Sequence, residues 1–322
     1  MISISYVLVG VAVWLASIIG TEAQCRNTVA VYNPNVRTLT SNNTWFIVPI
    51  PKAAVLSAIK EKYPLQTLTL LDVPTSDETL FPNGFPAGQH PVMVNIGYTD
   101  DIRMTVLQID GPLLNGDIYA TYVSQNGSSA PLQASLNGYI AGPNGPLPNG
   151  LVPAAASSAL FAGNELRLGQ FEPQDAPYQS EGADTLFAQA KWAIVPNSVS
   201  GPGVYVEAAD FAFKTSTTSR YTQKTFKSLI NQPLILPSGM CQRDAYYFNN
   251  DTAQPVLRHG NVTLGPAADG SGVTSGLLMQ ASPDKVGNYF EQDGFSACAQ
   301  SVGNNPEACD VASANTDPNT LQ

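Results

Sequence analysis

The chain has 322 residues and a formal net charge of −10, and only 12% of its residues are charged. Because it carries no cluster of Lys and Arg that could bind phosphate groups, nucleic acid and an anionic membrane surface are disfavoured as partners. With 26 Gly, 25 Pro and 43% apolar residues, the composition favours many short strands around a substantial core over long amphipathic helices.

The N-terminus has the pattern of a secretory leader. An apolar run from Tyr6 to Ile19 is too short for a comfortable membrane span, and small residues follow it up to Ala23. We expect residues 1–23 to be a signal peptide and residues 24–322 to form one β-rich domain with a cysteine-bearing C-terminal tail. No Lys or Arg precedes the run, and the alternative is an uncleaved membrane anchor. The prediction is a secreted protein, extracellular or in the cell wall, with no membrane contact after cleavage.

The cysteines and sequons agree with passage through an oxidising compartment. Four cysteines allow three pairings, and we expect Cys298 with Cys309, closing a local loop, and Cys25 with Cys241. No C-x-x-C occurs, so zinc-ribbon and thioredoxin chemistry are not indicated, and no metal or cofactor is expected. Sequons predict glycosylation at Asn42, Asn126, Asn250 and Asn261.

The first part of the mature chain alternates short strands with one helix. Lys52–Tyr63 is predicted to be helical, because Pro51 suits the first turn, apolar residues recur at helical spacing and Pro64 ends the pattern. The strands predicted around this helix are Thr28–Tyr32, Thr44–Ile50 and Thr67–Leu71.

The next stretch concentrates polar groups beside apolar strand residues. After a turn-rich segment, alternation predicts a strand over Val92–Tyr98, a break at Asp100 and Asp101, and a second strand over Ile102–Ile109.

The remaining elements are mostly strands. Asp117–Ser124 and Leu132–Ile140 flank the turn pair Asn126-Gly127, which is a strong hairpin signal, and Gly138–Ala156 is predicted to be a loop. Further strands are predicted at Leu166–Phe171, Leu186–Val195 and Val204–Phe213, with a second helix at Thr222–Ile230. The residues alone indicate a single, mostly antiparallel β domain with a few short helices.

Asp101 and Arg103 are the candidate catalytic residues. They lie two positions apart, so on an extended backbone they point to the same side and can pair. They form either a structural ion pair at a strand start or a polar patch in which Arg103 binds an acidic or carbonyl group and Asp101 orients it. Tyr98 and His90 are the candidate binding residues, although His90 could instead cap its Gly/Pro turn. Because the segment is apolar on both faces, we expect the pair at the mouth of a cavity.

Several familiar catalytic sites are absent from the sequence. It contains no G-x-S-x-G elbow, no H-E-x-x-H, no P-loop and no G-x-G-x-x-G after a strand. A histidine-dependent triad could use only His90 or His259, and His259 adjoins the sequon at Asn261, which favours a surface position.

Seven segments of the chain carry a resemblance to known proteins: VPIPKAAVLSAIKEKYPL, FPNGFPAGQHPVMVNIGYTDDIRM, VSGPGVYVEAADFAFKT, YTQKTFKSLINQPLIL, CQRDAYYFN, GNVTLGP and SACAQSVGNNPEAC. Together they resemble a family of secreted fungal proteins of about this length that has no general assigned activity. More distantly, the order and length of the elements resemble the acetoacetate decarboxylase-like superfamily. That resemblance implies a mainly β fold: a single antiparallel, closed, cone- or barrel-like sheet with a few short helices around an apolar pocket.

The chain departs from that superfamily at the nucleophile. Acetoacetate decarboxylase uses a desolvated lysine to form a Schiff base. The strand that aligns with the lysine-bearing segment, Leu114–Ser124, contains no lysine, and of the lysines elsewhere only Lys191 has an apolar setting. Decarboxylation through a Schiff base is therefore not expected.

Two functions remain from different classes. The first is binding of, or acid–base chemistry on, a small apolar carbonyl compound such as a polyketide-like metabolite, by a cofactor-free lyase, cyclase or isomerase. The second is a non-catalytic secreted or cell-surface binding protein. Asp101 and Arg103 facing into a pocket would favour the first, and both at the surface would favour the second.

Overall fold

The computed structural model describes residues 25–109, 112–142, 167–193, 205–265 and 274–322. The expected signal peptide, residues 1–23, lies outside them. The longer helices are α1 (Lys52–Lys62) and α2 (Gln223–Ile230), followed by α3 (Met279–Ala281) and α4 (Cys309–Ala314). None of the helices in this described part has the length and apolar composition of a membrane span.

All the described strands join one sheet. The first eight are β1 (Arg37–Pro51), β2 (Leu68–Leu70), β3 (Gln89–Met104), β4 (Leu107–Ile109), β5 (Leu113–Gln125), β6 (Leu132–Ala141), β7 (Arg167–Glu172) and β8 (Gln179–Gly182). The others are β9 (Thr185–Ala193), β10 (Tyr205–Thr215), β11 (Leu234–Ile235), β12 (Cys241–Gln242), β13 (Asp244–Tyr247), β14 (Val256–Leu264) and β15 (Asn288–Gly303).

The sheet is organised around its longest strands. The order is β12-β11-β6-β7-β9-β10-β14-β15-β1-β3-β5-β2, and β6 also pairs with β5, so the sheet curls back on itself. At the β6–β7 junction the described residues form two pairs, Tyr139 with Arg167 and Ile140 with Leu168. The expectation of a closed sheet is therefore confirmed only in part, because on this side the sheet is closer to an open half-barrel. The sheet is also not wholly antiparallel, since β6 pairs in parallel with β7 and β11.

The two faces of the central strands carry different cores. We call inner the face of β1, β3 and β5 that bears Phe46, Val94 and Ile118, which belong to the largest apolar cluster. The outer face bears Trp45 and Met93, and α2 covers it through a second cluster. Because successive side chains alternate across a strand, both faces of these strands are covered and their sequences lack a simple alternation of polar and apolar residues.

Most predicted elements are confirmed, including the first helix and the β5–β6 hairpin with its turn at Asn126 and Gly127. Thr28–Val31 is a 3-10 helix and not a strand, because its backbone closes a turn from Tyr32 to Val29.

Two boundaries near the candidate residues also differ from prediction. The predicted second strand Ile102–Ile109 is interrupted by a turn at Thr105, where φ is +54°, so β3 and β4 form a hairpin. The predicted loop Gly138–Ala156 begins within β6, which extends to Ala141, and the part of it from residue 143 onward lies outside the described residues.

The disulfide pairing differs from the expected one. Cys25 pairs with Cys298 and Cys241 pairs with Cys309, with Cα–Cα distances of 5.8 and 4.7 Å. The expected Cys298–Cys309 loop is wrong because Cys298 lies within β15, paired with Asn42 of β1, and Cys309 begins a separate helix. Spacing along the chain suggested a local loop, whereas the sheet brings distant cysteines together.

Peptide mapping of the non-reduced protein should therefore recover Cys25 linked to Cys298 and Cys241 linked to Cys309. The reason is that each pair lies within the range of Cα separations that a disulfide spans. A peptide linking Cys298 to Cys309 would contradict the fold in this region, and detection of four free thiols would contradict both bridges.

Candidate functional site

Asp101 and Arg103 form an ion pair near the end of β3. The Arg103 Nε and Nη2 atoms donate to the two carboxylate oxygens of Asp101 at 2.5 and 2.9 Å. The Arg103 side chain is 44% exposed and that of Asp101 is 23% exposed. Asp101 has φ of +46°, which interrupts the strand alternation assumed for this segment. The pair lies at the surface, the placement that favours a structural role, and its part in binding stays a prediction.

Tyr98 and His90 lie on the inner face, away from this ion pair. The Tyr98 hydroxyl accepts a hydrogen bond from Asn42 Nδ2 at 3.3 Å, and its ring packs against the inner core. His90 is fully buried, and its Nε2 lies 2.6 Å from the carbonyl oxygen of Thr121. Burial lowers the pKa of His90 to about 4, so the ring is neutral at physiological pH. The four predicted residues are therefore not brought together.

Arg103→Met should cost at most about 1 kcal/mol of folding free energy, because an exposed ion pair contributes little. Chemical denaturation of the purified variant measures this loss. If the variant folds and also binds ligand normally, Arg103 is not part of the site. A loss of ligand binding in a well-folded Arg103→Met protein would restore Arg103 as a binding residue.

A set of polar side chains lies instead on the outer face of β1, β3 and β5. The strand register places Asn43, Gly97 and Asn115 in one row across the three strands. Trp45, Asn95 and Asp117 form the next row. Because neighbouring strands lie about 4.8 Å apart and residues i and i+2 share a face, the polar members of both rows are close together.

We call the polar recess the group formed by Asn43, Asn95, Asn115, Asp117 and Tyr119. Nδ2 of Asn95 and Nδ2 of Asn115 each donate to Oδ2 of Asp117 at 3.3 Å. The Tyr119 hydroxyl, on the same side of β5, also hydrogen-bonds Asp117. The carboxyl group thus has three neutral donors around it.

The electrostatics of the recess favour proton exchange at Asp117. Desolvation raises the pKa of Asp117 to about 6, and hydrogen bonds from Asn95, Asn115 and Tyr119 oppose the rise without cancelling it. The residue is nevertheless partly accessible to solvent. A group that is strongly desolvated but still accessible lies in the wall of a recess and not on a ridge.

The recess contains buried acceptors without donors. The Oδ1 atoms of Asn43, Asn95 and Asn115 have no hydrogen-bond partner among the described residues. Buried polar atoms left unpaired are costly, and each such atom in a native structure calls for a partner such as a water molecule or a ligand group. A Cβ at Gly97 would lie 2.2 Å from Asn43 Oδ1, so glycine is required for the Asn43 amide to occupy its place.

Further ionisable groups act on the recess from β13 and the start of β1. Arg37 and Asp244 form an ion pair whose side chains are 20% and 22% exposed. Burial raises the pKa of Tyr246 and Tyr119, and the charge of Asp117 contributes to both shifts. Both phenols therefore stay protonated and able to donate at neutral pH.

An apolar patch adjoins the polar recess. Leu113 lies two positions from Asn115 on the same side of β5, and Ile140 pairs with Asn115 across β6. Ile102 and Ile109, from the β3–β4 hairpin, pack against these two residues. The arrangement therefore offers an apolar surface beside a carboxyl group that exchanges protons near neutral pH.

Part of the polar recess could have been predicted from the sequence. Asn95, Asn115 and Asp117 each interrupt strands that are otherwise apolar on both faces, and a polar residue in such a strand needs a partner or a role. What was missing was the register that joins β1, β3 and β5. Without it, the sequence indicates Asp101 and Arg103, which lie two positions apart in the chain.

Lys191, the one lysine in an apolar sequence setting, does not enter the inner core. Its neighbours Ala188 and Ala190 belong to the inner cluster, so along β9 the Lys191 side chain points to the opposite face. Its charge instead acts on Asp210, which lies two residues after Ala208, the β10 partner of Lys191.

The four sequons lie in different settings. Asn126 is exposed at the tip of the β5–β6 hairpin. Asn42 lies on the central strand β1, paired on both sides, and Thr44 of its sequon is fully buried. Asn250 Oδ1 accepts from Thr252, and Asn261 Oδ1 accepts from the Glu291 amide. Glycosylation at all four sites stays a prediction.

We expect Asn126 to be glycosylated and Asn42 to be unmodified, because a glycan on β1 would displace the inner-face contact with Tyr98. Glycopeptide mapping of the protein expressed in a glycosylating host tests this. A glycan at Asn42 would contradict the position of β1 between two strands.

No family model matches the sequence, and no curated protein matches it either. Among solved structures, the chain is similar to the enduracididine biosynthesis enzyme MppR complexed with the condensation product of pyruvate and imidazole 4-carboxaldehyde. The identity is 10%, the alignment covers 85% of this chain and 89% of that chain, and the TM-score is 0.46. It is also similar to an acetoacetate decarboxylase-like enzyme from Sphingomonas wittichii RW1, with 7% identity, coverage of 85% and 93%, and a TM-score of 0.43. Scores at this level do not assign the chain to a family, and membership of a secreted fungal family stays a prediction.

Proposed function

We propose that the protein binds a small enolisable carbonyl compound in the polar recess and transfers a proton on it without a cofactor. Asp117 is the general base and then the general acid. The observation that carries the proposal is the desolvated carboxyl of Asp117, with a pKa raised to about 6, among three neutral hydrogen-bond donors. A base is most effective when its pKa lies near the working pH.

The groups around Asp117 suit both the polar carbonyl end and the apolar body of such a ligand. The protonated Tyr119 phenol donates to the Asp117 carboxylate, and once Asp117 has taken up a proton this O–H is free to donate to an oxygen that gains negative charge. Three unpaired amide oxygens can accept hydrogen bonds from hydroxyl groups of the ligand: those of Asn43, Asn95 and Asn115. The patch around Leu113 and Ile140 can hold an apolar body. The proposed ligand is therefore an apolar compound with a hydroxylated, enolisable head. This is a smaller class of ligands than the apolar carbonyl compounds expected from the sequence.

The reaction step is an isomerisation. The Asp117 carboxylate removes a proton from the carbon next to the carbonyl group, and the electron pair of that C–H bond moves to give an enolate. Tyr119 stabilises the enolate oxygen by hydrogen bonding. The protonated Asp117 then returns the proton to a different carbon or to the oxygen, so that no atom or electron is gained or lost.

Exchange of carbon-bound protons for solvent deuterium tests the proposal on a panel of enolisable cyclic ketones and β-diketones. We expect catalysed exchange by the wild-type protein and loss of exchange in Asp117→Asn. Asp210→Asn is the matched control, because burial also raises the pKa of the Asp210 carboxyl but it lies on β10 outside the recess. Equal exchange by the Asp117→Asn variant and the wild type would refute the proposal.

The non-catalytic alternative is separated by the same panel. Asp101 and Arg103 lie at the surface, which is the placement that favours a binding protein. Binding of a panel compound without any exchange, at a site lost in Asn95→Leu, would indicate a binding protein that uses the recess. We also propose that the protein is secreted, which the two disulfides support.

A further inference from the structure

We propose a second site, which binds the carboxylate group of a small planar molecule at Arg258, on the inner face of the sheet. Arg258 lies on β14 opposite Thr215 of β10, on the same side as the core residues Val262 and Phe213. It is therefore separated by the sheet from the polar recess, which lies on the outer face of β1, β3 and β5.

The guanidinium group of Arg258 is held by hydroxyl groups. Its Nε donates to Ser296 Oγ at 2.8 Å, Nη1 to Thr215 Oγ1 at 2.6 Å and Nη2 to the Tyr178 hydroxyl at 3.2 Å. An arginine has five N–H donors. Three are used in these bonds, which leaves one on each Nη atom for a further acceptor.

Within the part of the chain that the structure describes, no carboxylate forms an ion pair with Arg258. The residue is only 6% exposed, and none of the ion pairs among the described residues involves it. Buried charges are normally paired because removing them from water is costly. Desolvation lowers the pKa of Arg258, so a bound anion would offset a cost that the folded protein now bears.

The surroundings specify which anion fits. The guanidinium carbon lies 5.4 Å from the Tyr178 ring centre and 5.8 Å from that of Phe213. With aromatic rings beside the guanidinium and one free N–H on each Nη atom, the site suits a planar group that takes two parallel hydrogen bonds, which is the geometry of a carboxylate. Thr215 is exposed and Tyr178 is half-buried, so the Nη side of Arg258 lies toward solvent.

Benzoate is the probe, with benzamide as its neutral isostere, and thermal unfolding of the full secreted protein is the readout. A ligand that binds only the folded state raises the unfolding midpoint. We expect benzoate to raise it and benzamide to have no effect. Arg258→Met should remove the benzoate shift, and Arg258→Lys should weaken binding about tenfold, because lysine keeps the charge and loses the fork.

Tyr178→Phe keeps the test decisive if the Arg258 variants do not fold. It deletes one hydroxyl at a half-buried position and should weaken benzoate binding about tenfold. Arg26→Met removes an exposed arginine and should leave the benzoate shift intact, as should Asp117→Asn on the outer face. Equal shifts with benzoate and benzamide, or full benzoate affinity in Tyr178→Phe and Arg258→Met, would overturn the proposal.

Discussion

Asp117→Asn should abolish proton exchange and, at the same time, make the protein more stable at pH 7. The folded protein raises the pKa of Asp117 from 3.8 to about 6 through desolvation. The folded state therefore binds this proton more tightly than the unfolded state does. For Asp117, stability is greatest below about pH 4 and falls as the pH rises through about 6.

Asparagine is neutral at every pH, so the variant should not show that loss. The difference between variant and wild type should reach at most about 3 kcal/mol at pH 7 and vanish near pH 4, since each pKa unit corresponds to about 1.4 kcal/mol. Urea denaturation at several pH values measures it. A variant that is less stable than the wild type at pH 7, or a difference that does not change with pH, would contradict the raised pKa of Asp117.

Phe46→Ala should destabilise the fold by about 3–5 kcal/mol, because it removes a fully buried ring from the centre of the inner core. The Phe46 ring lies 5.8 Å from that of Phe211 and 5.5 Å from that of Phe213, measured between ring centres. A Cβ at Gly294 would lie 2.6 Å from the Phe46 ring, so the ring also fills the space above that glycine. The loss is a large part of the stability of an ordinary domain.

Phe290→Ala is the matched control, since Phe290 lies on β15 and is 53% exposed. Its replacement should change the free energy of unfolding by no more than about 0.5 kcal/mol. Similar effects of both substitutions in chemical denaturation would mean that the packing around Phe46 is not as described.

Local patterns predicted most strands and both main helices, because alternation, proline positions and the Asn126-Gly127 turn act over a few residues. They did not reveal that β15 lies at the centre of the sheet. Its segment, NYFEQDGFSACAQSVG, is rich in small and polar residues, and one of its partners, β1, lies at the other end of the chain. The predicted disulfide pairing was wrong for the same reason, since the pairing of β1 with β15 brings Cys298 close to Cys25.

The candidate site shows the same limit. Asp101 and Arg103 are near in sequence and pair with each other, so the sequence pointed to them. Asp117 acquires its chemistry from the hydrogen bond of Asn95 on β3 and from desolvation by burial. Those contacts depend on register across the sheet, which no local pattern encodes.

The protonation of Asp117 can be observed directly by NMR, from the chemical shift of its carboxyl carbon as a function of pH in protein labelled with carbon-13. Assignment is secured by the signal that is missing in Asp117→Asn. The proposed proton transfer requires a titration midpoint near 6, the value to which desolvation raises the pKa. A midpoint at or below the ordinary value of 3.8 would contradict it, because a carboxylate that is already fully charged and well solvated would be too weak a base for the proposed reaction.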